Sequence, residues 1–214
     1  MARVKAKRQY TSTLRQAQAS QTRARILDTA QRLFTQRGYA ATTMEAIASE
    51  SGVATDTVYA AFGTKAGLLH KLLDVRVGGD DLPVALLDRA GPQKVRAEPS
   101  QKRQIASFAA DVAQIQERAV PVDDVMRSAA AVDPEIAALR ARMHGFRYDN
   151  MRKFVSWLAA RGPFRAGIAE EDAAAIVWTL AGPEVNRLLR TERGWSRERY
   201  VAWLADTLTR TLLV

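Results

Sequence analysis

Apolar residues in this chain recur at intervals of three and four, and no stretch alternates apolar with polar residues for long enough to propose a strand. Such a chain can close a core only by packing helices, so the expected fold class is all-α, with about nine helices. Ala24, Leu27, Ala30, Leu33 and Phe34 place one stripe on a first helix that runs from Ser20 and ends before Gly38, a residue suited to a left-handed cap. A second, short helix starts at Thr42-Thr43-Met44-Glu45, where Thr42 caps the backbone and Glu45, three residues on, reaches back in a capping box. Met44, Ile47 and Ala48 are its inward residues, and Ser51-Gly52 ends it in a sharp turn. Val53 to Phe62 form a third helix with Val53, Val58 and Phe62 inward and Thr55, Asp56, Tyr59 and Ala60 outward. Thr64 caps a fourth, which carries Leu68, Leu69, Leu72 and Leu73 and is ended by Gly78-Gly79-Asp80-Asp81.

Gly78, Gly79, Pro83, Gly91, Pro92 and Pro99 crowd helix breakers into residues 78–100, which marks a domain boundary with one short helix around Val84 to Arg89. A helix with Ile105, Phe108, Val112 and Ile115 on one face follows, then one from Asp123 to Val132. Asp133-Pro134 opens a long helix closed by Gly162-Pro163. Glu170 to about Arg190, kinked at Gly182-Pro183, and Arg197 to Leu213 complete the chain. Residues 1–19 are polar and basic without an apolar stripe and are expected to form a flexible arm. The expected organisation is therefore arm 1–19, a domain of residues 20–77 and a domain of residues 78–214.

Charge separates these parts. Of the net charge of +9, residues 1–77 hold +7 and residues 78–214 only +2. That asymmetry is the electrostatic footprint of a nucleic-acid-binding segment joined to a near-neutral body. The absence of cysteine excludes disulfides, thiolate metal sites and cysteine nucleophiles, and two histidines leave few members for a metal cluster or a nucleophile–base pair. No cofactor or metal is expected. The longest nearly apolar stretch, Ala173 to Ala181, falls well short of the roughly 20 residues that cross a bilayer. The basic N-terminus is not followed by an apolar run and cleavage site, so the expected compartment is the cytoplasm, with no membrane partner.

A capped short helix, a glycine turn and a second short helix reproduce the layout of a helix-turn-helix, whose second helix enters the DNA major groove. The residues sharpen it. Gly38-Tyr39-Ala40-Ala41-Thr42-Thr43-Met44-Glu45-Ala46-Ile47-Ala48, then Gly52-Val53, Thr57-Val58-Tyr59-Ala60-Ala61-Phe62-Gly63-Thr64-Lys65 and Leu68-Leu69, resemble the DNA-binding domain of the TetR family of bacterial transcriptional regulators over roughly residues 20–73. The resemblance implies that Thr42 and Thr43 meet a phosphate at the start of the second helix. It implies that Thr55, Asp56, Thr57, Tyr59 and Ala60 face DNA, and that Lys65 pairs with phosphate. Three features depart from the family pattern. Ala54 stands where serine or threonine generally caps the recognition helix, Asp56 where a small residue is common, and Ala60 and Ala61 where larger residues add contacts. Base readout is then sparse, and Lys5, Lys7 and Arg8 of the arm supply affinity through phosphates or the minor groove.

For the second domain the resemblance implies a ligand-binding and dimerisation unit. Its last two helices would build a four-helix bundle with a second copy, through Ile176, Val177, Leu180, Leu188, Trp203, Leu204, Leu208 and Leu212. A ligand pocket is expected between the Ile105 helix, the long helix and the Glu170 helix, lined by Phe108, Met143, Phe146, Asn150 and Trp178. The function so implied is a dimeric repressor, not an enzyme, released from a palindromic double-stranded DNA operator by a small-molecule effector. The alternatives are an all-α enzyme and a helical scaffold whose basic arm binds nucleic acid.

Overall fold

The computed structural model describes residues 2–213, with side chains from residue 16 onward, and every regular element among the described residues is a helix or helical turn. The chain divides into two compact units, one ending at Val75 and the other beginning at Arg76. No helix among the described residues is long and apolar enough to cross a membrane.

The first unit contains α1 (Ala2–Ala41), α2 (Met44–Ser51), α3 (Thr55–Phe62) and most of α4 (Lys65–Gly78). Helix α1 begins at Ala2, so the backbone expected to form a separate arm continues the first helix; the side chains of Lys5, Lys7 and Arg8 lie outside the described residues. Gly38 interrupts α1 with φ 79° and ψ 163°, a positive φ but not the left-handed helical conformation expected of a cap. Ile26, Leu27, Ala30, Leu33 and Phe34 of α1 are buried with Met44, Ile47 and Ala48 of α2, Val58 of α3, and Leu68, Leu69 and Leu72 of α4. Full burial of each large aliphatic side chain contributes about 1.5–3 kcal/mol. Ile26 joins this core and Ala24 stays exposed, so the stripe on α1 is rotated slightly from the expected one.

Helix α2 ends at Gly52, whose φ of 65° and ψ of 42° are left-handed and whose N–H reaches Ala48 and Ser49 carbonyls. That conformation disfavours any residue with a Cβ, and it turns the chain into α3 within three residues. Arg32 and Arg37 of α1 both pair with Glu50 of α2, which ties the two helices at their outer edge.

The second unit contains a 3₁₀ turn (Leu86–Asp88), α5 (Ala90–Ala97), α6 (Gln101–Ala130), α7 (Pro134–Ala159), α8 (Glu170–Leu180), the single turn α9 (Pro183–Asn186) continued by a π-helical turn (Arg187–Glu192), and α10 (Arg197–Leu212). Ser100, Asp133 and Ser196 cap α6, α7 and α10 through their side-chain oxygens. Three expectations change. Helix α5 forms where Gly91 and Pro92 read as breakers; both lie in its first turn, where a missing N–H breaks no helical bond. The two helices expected on either side of residue 121 are one helix, with exposed Pro121 inside it, where water can satisfy the carbonyl the proline leaves without a donor. The helix expected over Glu170 to Arg190 breaks at Ala181-Gly182 instead of only kinking.

The core of this unit joins Ile105, Phe108 and Ala109 of α6, Phe154, Val155 and Leu158 of α7, Ala173, Ala174 and Val177 of α8, and Tyr200, Leu204, Leu208 and Leu212 of α10. Val177, Leu204, Leu208 and Leu212, expected at a dimer interface, are thus fully buried in their own subunit, because α10 packs its apolar stripe against α6 and α8. Ile176, Leu180 and Trp203 are half-buried, and Leu188 is 49% exposed.

Candidate functional sites

At the start of α2 the cap expected at Thr42 falls on Thr43. Thr43 is the cap: its Oγ1 accepts from the Ala46 N–H at 3.1 Å, and its side chain is exposed. Thr42 is fully buried, and its hydroxyl donates to the Gly38 carbonyl at 2.8 Å, so it has no path to a phosphate. With Thr43 as the cap, Glu45 is one residue too early to close a capping box. Its carboxylate instead accepts from the Tyr59 hydroxyl of α3 at 3.3 Å. Its own backbone N–H, then the Thr43 hydroxyl, hold Glu45 below the ordinary carboxylate range, while the charge of Glu45 holds the Tyr59 phenol above its ordinary value.

Helix α3 begins without a side-chain cap, since Ala54 precedes Thr55. Val58 anchors it in the core. Asp56, Thr57, Tyr59 and Ala60 are exposed and Thr55 is half-buried; Tyr59 is 44% exposed. Positions 56, 59 and 60 form one row at helical spacing. Lys65 departs from expectation: its ammonium donates to the carbonyls of Tyr39 at 2.9 Å and Thr42 at 3.0 Å, and sits 4.3 Å from the centre of the Tyr39 ring. It staples the start of α4 to the end of α1, and two of its three N–H groups are already used.

In the second unit, Phe108 stacks on Phe154 at 4.0 Å between ring centres, inside the core. Phe146, expected to line a pocket, is 64% exposed and points away from the interior, because the inward row of this part of α7 is Arg140, His144 and Arg147. Met143, Asn150 and Trp178 are half-buried. The Trp178 ring meets the edges of His144 and Tyr148, and the Arg147 guanidinium lies 4.5 Å from its centre. Below it, Gln116 accepts from both Asn186 at 2.7 Å and Tyr200 at 3.0 Å and donates to the Ala181 carbonyl at 2.8 Å, a buried network that spans α6, α9 and α10.

Residues 26–72 match the family described as bacterial regulatory proteins, tetR family. The HTH-type transcriptional regulator TtgR of Pseudomonas putida is 44% identical over 57 residues, 27% of each chain. The helix-turn-helix segment belongs to the TetR family. The chain spans only about a quarter of the length of the curated relatives it matches. Over nearly the whole length the fold is similar to NalD of Pseudomonas aeruginosa, the secondary repressor of the MexAB-OprM multidrug efflux pump. That match has 21% identity, covers 92% of this chain and 98% of that one, and has a TM-score of 0.67. A SmeT–triclosan complex matches with 18% identity, 90% and 92% coverage, and a TM-score of 0.67.

TetR-family regulators are DNA-binding transcription factors and not enzymes. Within this TetR-family segment the uncapped start of α3 leaves its first N–H groups without a side-chain acceptor. Two features are not readable from the sequence. The Glu45–Tyr59 pair is hidden by the competing capping-box pattern, and the Lys65 staple has no local signal, since its partners are backbone carbonyls 26 and 23 positions away.

Proposed function

We propose that the chain is a dimeric repressor of transcription that binds a palindromic double-stranded DNA operator through α2 and α3 and is released by a small molecule bound in the second unit. Residues 20–77 form the DNA-binding domain and residues 78–214 the effector-binding and dimerisation domain. The observation that carries this reading is the outward row Asp56, Tyr59 and Ala60, flanked by exposed Thr43 and Thr57, none of which the first unit needs for its own core. Membership of the helix-turn-helix segment in the TetR family, the excess positive charge of residues 1–77, and the fold shared with NalD and with SmeT bound to triclosan all support it.

In this reading two copies set their α3 helices about 34–36 Å apart in successive major grooves. Thr43 and the Met44 N–H at the start of α2 meet a phosphate, Tyr59 reaches the backbone, and Asp56 selects cytosine by accepting from its N4. Thr55, Thr57 and Ala60 line the groove. Lys65 acts by holding α4 and the start of α2 in place, with its third N–H group toward DNA. The test is fluorescence anisotropy on duplexes selected by this protein from a random pool. Tyr59→Phe should weaken binding about fivefold with an unchanged melting temperature. A selected pool without a palindromic pattern, or unaltered binding by the variant, removes the reading of α3 as the DNA reader.

A further inference from the structure

The second unit contains a polar cluster that its own residues do not satisfy. Arg140, His144 and Arg147 share one face of α7 at positions i, i+4 and i+7, opposite Asp123 of α6, Trp178 of α8 and Glu184 of α9. Arg140 is paired with Glu184 at 2.9 Å and lies 4.0 Å from Asp123, beyond hydrogen-bonding distance. Arg147 donates to the Trp178 carbonyl at 2.8 Å, and no carboxylate among the described residues lies within ion-pair distance of it. Four buried polar atoms have no partner: Arg140 Nε, Arg147 Nε, Trp178 Nε1 and Asp123 Oδ2.

Three of those four are N–H donors, and one belongs to the Arg147 guanidinium, whose charge is met only at a distance by Glu184 and Asp123. A buried charge in that state is costly unless an anion joins it. Burial lowers Arg147 to about 10, and burial followed by the two arginines pushes His144 below its ordinary value, so the histidine adds no competing charge demand at neutral pH. Arg147, His144 and Trp178 are each half-buried, while their unpartnered nitrogens are buried, so a small molecule reaches those nitrogens only as the side chains around them shift.

We propose that this cluster is the effector site and that its ligand is a small organic carboxylate, whose oxygens accept from Arg147 Nε, Trp178 Nε1 and Arg140 Nε. The proposal rests on the second unit being effector-binding. A planar carboxylate presents two acceptors in the geometry a guanidinium fork matches, whereas a neutral amide presents one acceptor and leaves the charge uncompensated.

The test is a thermal-shift and calorimetric titration of the full chain, at fixed ionic strength, with sodium benzoate, sodium hexanoate, neutral benzamide and sodium sulfate. A saturable rise in melting temperature is expected with benzoate or hexanoate, and none with benzamide or sulfate. Arg147→Met should weaken carboxylate binding at least about tenfold while keeping the parent's helical spectrum, because it removes a charge that makes no contact ion pair, together with one hydrogen bond to the Trp178 carbonyl. Trp178→Phe keeps an aromatic ring but removes the N–H together with the pyrrole ring that carries it, and should weaken binding about three- to tenfold. Absence of any carboxylate-dependent shift, an equal shift with sulfate, or full carboxylate binding by both variants overturns the proposal. Anisotropy on the selected duplex separates it from the regulator reading. DNA binding without carboxylate binding leaves the regulator and removes this site, whereas carboxylate binding that never changes DNA affinity removes the effector role.

Discussion

A tyrosine hydroxyl has one proton to donate, and Tyr59 donates it to Glu45 in the free protein. To reach a DNA phosphate it must exchange that acceptor, and the released Glu45 carboxylate then sits near the phosphate backbone with the same sign of charge. Glu45→Gln should therefore tighten operator binding about three- to tenfold at low salt, with the gain shrinking as salt rises, in anisotropy titrations across ionic strength. Thr43 still caps α2, but the ionised Glu45 is held by its own N–H and the Thr43 hydroxyl, so the melting temperature should fall slightly. Asp123 offers a second test at this scale. Burial raises its carboxyl above the ordinary value, against the pull of Arg140, so the folded state holds the proton to higher pH than the unfolded state does. The ionised form thus destabilises the fold, beginning as pH rises above the unfolded value and complete once the folded value is passed. Asp123→Asn removes this penalty, so the variant should gain in melting temperature relative to the parent as pH rises from about 4. A constant or narrowing difference would show instead that ionised Asp123 stabilises the fold through Arg140.

Elements whose ends carry their own chemistry are legible in the sequence. Ser196, Asp133 with Pro134, Thr64 and Gly52 each mark a terminus by a local rule, and α4, α7, α10 and the α2–α3 turn fall close to where those residues place them. The less legible elements depend on distant neighbours. A Cβ at position 91 would meet the Asp111 carboxylate of α6, so Gly91 marks a close approach of α5 to α6 instead of a loop. The expected separate helix from Asp123 to Val132 is the second half of α6, which continues through Pro121 because packing on both sides holds the helix together. In the candidate DNA-binding face the outward row of α3 is readable from period alone. The buried state of Thr42 and the staple from Lys65 are not, because both follow from how α1 bends at Gly38. The α2–α3 turn also gives a direct test. Gly52→Ala places a Cβ in a left-handed conformation at roughly 1–2 kcal/mol, and relief of that strain re-aims α3. DNA binding should fall more than the loss of stability explains, a difference resolved by comparing anisotropy below the melting range with calorimetric unfolding.

For the whole molecule the assignment of apolar residues on α8 and α10 decides which substitutions separate subunits and which unfold them. Leu208 and Leu212 are fully buried within the subunit, so an acidic residue there places an unpaired charge in the core, and Leu208→Glu should lose helical circular dichroism. Ile176 and Leu180 are only half-buried and lie on α8 beside exposed Ala175 and Thr179, a face the subunit's own packing leaves partly open. If that face pairs with a second copy, Leu180→Glu should retain the helical spectrum and sediment as a monomer at concentrations where the parent is a dimer. The consequence for DNA is large, because two readers joined in one dimer bind a palindrome with an avidity roughly 10²–10⁴ above that of one reader. Operator affinity of Leu180→Glu should collapse toward that of a single half-site, and its dependence on salt should flatten as the phosphate contacts of one subunit are lost. A variant that sediments as a dimer and binds the full palindrome with parental affinity would place the interface elsewhere, while leaving the α3 face to be judged by Tyr59→Phe alone.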